Sequence, residues 1–479
     1  MKRLLCCLLA LALAAGFGAM TAGTARAAAA PTTVVWYLPG STPNNFDNVL
    51  AAVNDKLAAS NLKLDLRIVE FGDYDSKMQL TASARENYDL VWTSSWLYIY
   101  DTNVSNGALM AIDDYLPQVP KLNDLIGKYW SYVKIGGKTY GVPNLQIMAD
   151  QPGLAFRKDM VDKYNIDLSN IHTPADLTPI FQIIKDNEPG MNPIANGSMS
   201  MSDWDAATQT YHYVPQVDYY TIDTDTMQVM DNQKRLDREL ALYSVSRDWQ
   251  LKGFINQDIP TLTDQDTLWN NGVAFCKYSR YKPGAEAELF ASSKVENICI
   301  PTGLAVISVA AVRSTLNAVS STSQHPLEAL KLLEQVNTDK ELYNLLIFGI
   351  KDEDYTMTDA DSIKQIDGGY SLGAWEVGNQ FNALFNNGQS KDLWQQTMAL
   401  NDSALKDPLG DFSFDPANVQ AEMANIDAVR KEYTPILQCG LDDPAKVIAE
   451  REAKLDNAGQ QKVIAEINKQ LAAWKAAQK

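Results

Sequence analysis

Residue types that perform covalent chemistry are few in this chain and wrongly spaced for it. The three histidines, His172, His212 and His325, stand far apart, and none falls in an H-E-x-x-H helix or a ligand cluster. Neither a G-x-S-x-G elbow nor a G-x-G-x-x-G loop occurs. Gly137-Lys138-Thr139 has the ending of a phosphate-binding loop, but Tyr132 stands where such a loop needs its earlier glycine, so a turn before Tyr140 is the better reading. The acid pairs Asp352 with Asp354 and Asp359 with Asp361 are of the type used in glycoside hydrolysis or calcium binding. They lack the calcium-loop order, and in a chain with 59 acidic residues most such pairs are solvated surface. No catalytic residue, metal site or cofactor is expected.

What the sequence does offer is binding chemistry. Aromatic and small polar residues gather just after predicted strands, where open α/β sheets hold their ligands. Trp36 lies near the end of the first strand, Thr93, Ser94, Ser95 and Trp96 follow the third, and Tyr278, Arg280 and Tyr281 follow the strand Val273-Ala274-Phe275-Cys276. A sugar ring presents apolar CH faces and a rim of hydroxyls, so its sites combine flat aromatics with hydrogen-bonding side chains. The chain has 10 Trp and 21 Tyr against 13 Phe, a bias toward rings that are apolar and polar at once. For any single ring, core packing remains the commoner role.

The elements that must position these residues follow from periodicity. Val34 to Leu38 is a buried strand that stops at Pro39-Gly40. Phe46, Val49, Leu50, Val53 and Leu57 share one helical face, Leu62, Leu64, Leu66 and Ile68 alternate as a strand, a helix runs from about Tyr74 to Ala84, and Tyr88 to Trp92 is a further strand. This βαβαβ order predicts a mainly parallel sheet with right-handed crossovers. A change of lobe is expected near Tyr140-Gly141-Val142-Pro143, with a second α/β pattern from Leu154. Thr173-Pro174-Ala175-Asp176 starts a helix with N-cap, proline and acid in order, and Pro326 opens another carrying Leu327, Leu330, Leu333 and Val336. From Ala417 the chain reads as helices separated at Cys439-Gly440 and Ala458-Gly459.

The 479 residues, 46% apolar and 21% charged, suit a globular chain of about three structural units. A net charge of −18 argues against nucleic acid and anionic membrane surfaces as partners. Lys2 and Arg3, the apolar run Leu4 to Met20 and the Ala25-Arg26-Ala27 triplet read as a secretory signal peptide over residues 1–27. Cys6 and Cys7 lie too early to form a lipobox. Of the remaining cysteines, Cys276 and Cys299 either pair or pack as buried thiols, and the odd set with Cys439 is no zinc framework.

The order of segments resembles the extracellular solute-binding proteins of family 1, the sugar-binding receptors of bacterial ABC transporters. The resemblance is carried by Tyr88-Asp89-Leu90-Val91-Trp92-Thr93-Ser94, Tyr140-Gly141-Val142-Pro143, Phe156-Arg157-Lys158-Asp159-Met160, Thr173-Pro174-Ala175-Asp176-Leu177, Asn271-Gly272-Val273-Ala274-Phe275 and Ala329-Leu330-Lys331-Leu332-Leu333. The tail, with Tyr433, Gly440, Leu455-Asp456-Asn457-Ala458-Gly459, Glu466 and Gln470-Leu471-Ala472-Ala473-Trp474, resembles the C-terminal domain of unknown function in the lipoprotein-A-type branch.

The resemblance implies an α/β fold of two lobes, with a ligand between them and hinge closure that presents both to a membrane permease. It divides the chain into a two-lobe region over 31–370 and a mostly helical domain over 371–479. The first lobe is about 31–143 with later returning segments, and the second about 150–300. The positions it places in the cleft are Trp36 and Ser41, Ser94 and Trp96, Asn144 and Gln146, Tyr278, Arg280 and Tyr281, and Trp375 and Asn379. The function it implies is an exported, monomeric receptor that delivers a carbohydrate, first of all an oligosaccharide, to ABC permease subunits. Two alternatives stay open: a secreted carbohydrate-active hydrolase, and a binding protein for a peptide or other polar solute.

Overall fold

The computed structural model describes residues 30–195, 211–214, 217–259, 267–386, 388–410 and 412–477. The expected signal peptide lies outside them. The first strand, Thr32–Pro39, sits between Leu62–Val69 and Leu90–Thr93 and is parallel to both. A central parallel strand is covered on both faces, so Val34, Trp36, Tyr37 and Leu38 are all buried. Leu62, Leu64 and Leu66 alternate inward as their spacing requires, and the helix Phe46–Leu57 buries Val49, Val53 and Leu57. Each of those side chains contributes roughly 1.5–3 kcal/mol of transfer free energy. The next helix, Phe71–Ser83, begins three residues earlier than its periodicity predicted.

Two later segments complete this sheet. Leu316–Val319 pairs antiparallel with Leu90–Thr93, and Gly141–Pro143 pairs antiparallel with Leu316–Val319. One returning strand thus runs against an otherwise parallel sheet. The second lobe repeats the plan in four strands ordered Asn297–Pro301, Pro152–Arg157, Ala274–Arg280 and Asn192–Ile194. Here Pro152–Arg157 is antiparallel to both of its neighbours. Its core gathers Leu154, Phe156, Phe181, Ile184, Trp249 and Phe275. Thr173 and Asp176 form the expected capping box, and the Asp176 carboxylate accepts from the Thr173 backbone N–H at 2.7 Å. The first turn it caps is 3₁₀, with the α-helix Thr178–Asn187 behind it.

The lobes are joined where their strands end. The chain leaves the first lobe after Gly141–Pro143, returns before Leu316–Val319, and crosses once more at Leu405–Lys406, which pairs with Val306–Ile307. Asp150 and Val306 form a bridge between the first two crossings. Asn401 clamps the first of them: its carbonyl oxygen accepts from Met148 N–H and Ala149 N–H, and its amide donates to the Gln146 carbonyl.

One expectation needs correction, and one open alternative is decided. The boundary set at 371 is misplaced, because Leu372, Val377 and Ala383 belong to the first-lobe core and Trp394 and Leu400 pack against it. The C-terminal helical unit starts beyond the third crossing, with helices Gln420–Gln438, Pro444–Asn457 and Gln460–Ala477. A disulfide between Cys276 and Cys299 does not form, and both thiols are free and buried. They face Phe156 and Ala155 from opposite sides of one intervening strand. That places them about 9.5 Å apart by strand spacing, beyond the roughly 7 Å that a disulfide spans.

Candidate ligand-binding site

At the carboxyl edge of the first-lobe sheet three rings meet in the open. Phe71 opens its helix two residues after Leu62–Val69, Trp96 lies in the loop after Leu90–Thr93, and Trp375 comes in from the late returning segment. Phe71 is stacked on Trp375, with ring centroids 6.2 Å apart and planes 21° from parallel, and on Trp96 at 6.5 Å and 19°. Trp96 and Trp375 are 6.3 Å apart. Phe71 and Trp96 remain 40% and 55% exposed, too much for core residues, and Trp375 is half-buried. Trp92, wholly buried, supports the group from below by edge contacts to Trp96 at 5.5 Å and Trp375 at 5.7 Å. Such ring pairs are worth about 0.5–1.5 kcal/mol each beyond the area they bury.

Local hydrogen bonds explain why these rings stay in place. The Ser94 hydroxyl accepts from Trp96 N–H and Leu97 N–H at 3.1 and 2.7 Å and donates to the Leu97 carbonyl, closing a tight turn. Trp96 Nε1 donates to the Ser314 carbonyl at 2.9 Å. Tyr98 closes the loop in the left-handed region, φ 46°, an unusual conformation for a ring-bearing residue that functional loops often retain.

Trp375 is held by a buried ladder of amides. Trp36 Nε1 donates to Asn317 Oδ1, Asn317 Nδ2 donates to Asn144 Oδ1 and the Glu376 carbonyl, and Asn144 Nδ2 donates to Thr315 Oγ1 and the same carbonyl. Thr315 in turn donates to the Trp375 carbonyl at 3.0 Å and accepts from Trp92 Nε1 at 2.8 Å. The Glu376 side chain folds back against Gly373, where any Cβ would lie 2.4 Å from its carboxylate, so a larger residue there would have to push that side chain aside. Burial pushes this carboxyl up to about 8, and its Oε2 has no hydrogen-bond partner.

Around the rings the surface turns polar. Ser41 is exposed and donates to the Glu70 carboxylate at 2.8 Å, joining the ends of the first two strands. The lobe crossings start from this same edge, so the second lobe stands across from it. There Tyr278 is half-buried against the second core, Tyr281 donates its backbone N–H to the Gln151 carbonyl, and Arg280 forms an exposed ion pair with Asp150. Half-burial beside Glu286 and Cys299 raises the Tyr281 hydroxyl above its ordinary value, burial being the larger cause.

The expected site residues therefore divide. Ser41, Trp96, Gln146, Tyr278, Arg280, Tyr281 and Trp375 all have some exposure around the cleft. Trp36, Ser94, Asn144 and Asn379 do not. Trp36 and Asn144 are saturated members of the amide ladder, and Ser94 shapes a turn. Asn379 caps the short turn Gln380–Asn382 by accepting from Phe381 N–H. Their polar atoms are taken up by partners inside the protein. Tyr278 and Arg280 also lie within their strand, which extends to Arg280, and only Tyr281 follows it. Phe71 was missed, although the rule applied after the first and third strands would have found it after the second. The acid pairs are structural as well: Asp354 is buried and accepts from Asn45, Ile350 N–H and Tyr370 N–H, while Asp359 pairs with Lys391 and is held down to about 2 chiefly by that bond. Among the described residues no group of His, Cys, Asp and Glu could hold a metal ion, and no helix is long and apolar enough to cross a membrane.

Comparison with known proteins agrees with this architecture. Residues 408–476 match the domain of unknown function DUF3502. A carbohydrate ABC transporter substrate-binding protein of Streptococcus pneumoniae serotype 4 is 25% identical over 96% of this chain and 95% of its own length. The crystal structure of the N-glycan transport solute binding protein NgtS of S. pneumoniae superposes with a TM-score of 0.82 at 23% identity, over 94% of this chain and all of that one. The same protein in complex with Man1GlcNAc superposes with a TM-score of 0.69 at 22% identity, covering 92% and 98%. These findings bear out the two-lobe fold and the resemblance to family 1 solute-binding proteins.

Proposed function

We propose that this chain is the exported solute-binding receptor of a carbohydrate ABC importer and captures an oligosaccharide between its lobes. The observation that carries the reading is the Phe71, Trp96 and Trp375 surface, an apolar platform left open at the edge where the lobes are joined. Flat rings receive the CH faces of sugar residues, and the polar rim of Ser41, Glu70 and Gln146, with Tyr278 and Tyr281 across the cleft, is suited to the hydroxyls. The chain binds its ligand without turning it over.

The mechanism is hinge closure about the three crossings. The NgtS structure in complex with Man1GlcNAc superposes with a TM-score of 0.69, against 0.82 for the NgtS structure named without a glycan. Those complexes also make mannose- and N-acetylglucosamine-containing oligosaccharides the first ligands to test. Titration calorimetry and thermal melts of the chain lacking residues 1–27 provide the test. A ligand at a hundredfold excess over Kd should add about 2.7 kcal/mol of stability. Absence of heat and of melting shift across a panel of neutral oligosaccharides would overturn the reading.

A further inference from the structure

Trp375, one of the three open rings, is the third residue of a tight turn from Gly373 to Glu376, closed by the Glu376 N–H donating to the Gly373 carbonyl at 3.0 Å. The carbonyls of its last three residues are each taken: Ala374 accepts from the Tyr343 hydroxyl, Trp375 from Thr315, and Glu376 from Asn144 and Asn317. Under this turn lies a titratable group that the binding chemistry does not use. The Glu376 side chain is 4% exposed and rests against Gly373, and its Oε2 has no hydrogen-bond partner. The titratable groups that face it are two phenols, Tyr74 from the helix Phe71–Ser83 and Tyr370 from the loop before the turn. Both protons are committed elsewhere, to the Trp92 carbonyl at 2.8 Å and to the Leu346 carbonyl at 2.9 Å. Beyond Tyr370 stands Asp354, a like charge that accepts from the Tyr370 N–H. Among the described residues no lysine, arginine or histidine offsets the Glu376 carboxyl, and burial alone pushes it up to about 8.

We propose that Glu376 is a positioning residue for Trp375: protonated, it fills the space under the turn and holds the ring in the platform, and ionised, it opens the turn and weakens sugar capture. A carboxylate without a donor must reach water. From this nearly closed position it does so by leaving Gly373, which is the other end of the turn that aims Trp375. The ring then parts from Phe71 and Trp96, whose centroids lie 6.2 and 6.3 Å away. The holding form prevails below about pH 8 and is lost above it. The effect on capture rests on the reading of the platform as the sugar site, whereas the placing of Trp375 does not.

Two measurements on the full chain between pH 6 and pH 9 test it. Without ligand, the near-ultraviolet circular dichroism of the packed rings should change with a midpoint of about 8 in wild type. That change should be missing from Glu376→Gln and from Trp375→Phe. With Man1GlcNAc as the probe in titration calorimetry, wild-type affinity should fall about tenfold from pH 7 to pH 9, as the competent fraction does. In Glu376→Gln it should stay level over the same range. Glu376→Met, neutral and without donors, takes its place if the amide is not tolerated. A wild-type spectrum that does not change, or a change that persists in the neutral variants, would overturn the positioning role. So would an affinity that stays level in wild type or falls equally in the variants. The expected spectral change with no glycan bound at pH 6 would uphold the positioning of Trp375 and overturn the platform as a sugar site.

Discussion

Phe71, Trp96 and Trp92 are all aromatic residues at strand ends, but their exposures assign them different work. Phe71→Ala and Trp96→Ala should weaken oligosaccharide binding by about 1–3 kcal/mol, as removal of interface rings does, and lower stability only by the ring contacts each gives up, about 0.5–1.5 kcal/mol apiece. Trp92→Ala, which empties a buried volume, should cost about 3–5 kcal/mol of stability. Loss of stability with unchanged affinity in Trp96→Ala would place that ring in the fold rather than the site. Arg280 has Asp150 as its partner in an exposed pair. Its replacement by alanine should therefore change stability by no more than about 1 kcal/mol. Titration of a neutral oligosaccharide and its uronic counterpart into wild type and Arg280→Lys then separates the pair from a ligand contact. Equal affinities throughout would remove Arg280 from the site.

The segment from Gly373 to Asn379 has a built-in pH dependence. The Glu376 carboxyl, lifted by burial from 4.5 to about 8, binds its proton more tightly in the folded chain than in the unfolded one. Its contribution to stability is complete below pH 4.5 and is lost as the pH rises toward 8. Within that window the loss approaches about 1.4 kcal/mol per pH unit. Glu376→Gln removes the ionisation, so the variant should gain on wild type as the pH is raised from 5 to 8. Melting temperatures of both proteins across that range check it, and parallel curves would show that Glu376 ionises without consequence. A different fastening operates between the helix Asn232–Leu251 and the helix Pro444–Asn457. Arg235 and Arg451 interleave with Glu239 and Glu452 there, all with side chains about nine-tenths buried. Arg451→Leu leaves two buried carboxylates short of a partner and should cost about 3–5 kcal/mol in denaturant unfolding.

These fastenings describe which parts travel together. The strands Val217–Asp223 and Gln228–Val229 share an apolar core with Leu409, Phe412, Ile426, Val463 and Ile467, so the C-terminal helices are packed onto the second-lobe side. Closure then brings the first lobe, with its ring platform, against the second lobe and the C-terminal unit moving as one. A saturating oligosaccharide should lower the radius of gyration in solution scattering. An unchanged radius alongside measurable binding would rule out hinge closure while leaving the platform intact.

The sequence by itself determined the periodic elements: the alternating strand from Leu62, the helical face from Phe46, the capped turn at Thr173 and the three terminal helices. Each depends on neighbours close in the chain, and the ordered segments were enough to reach the two-lobe fold. It also singled out Trp96, since a strand end is a local signal, whereas Trp375 came only from the resemblance of its segment. Tertiary structure alone decided that Trp36, Asn144 and Asn379 face inward. Their hydrogen-bond partners, Asn317, the Glu376 carbonyl and the Phe381 amide, are brought to them by strand order or by a turn formed on docking. An asparagine aimed at a sugar and one aimed at a buried carbonyl read alike in a sequence, because the difference lies in which backbone arrives opposite it. The same holds for 371–403, which the resemblance assigned to the tail and its apolar contacts return to the first lobe.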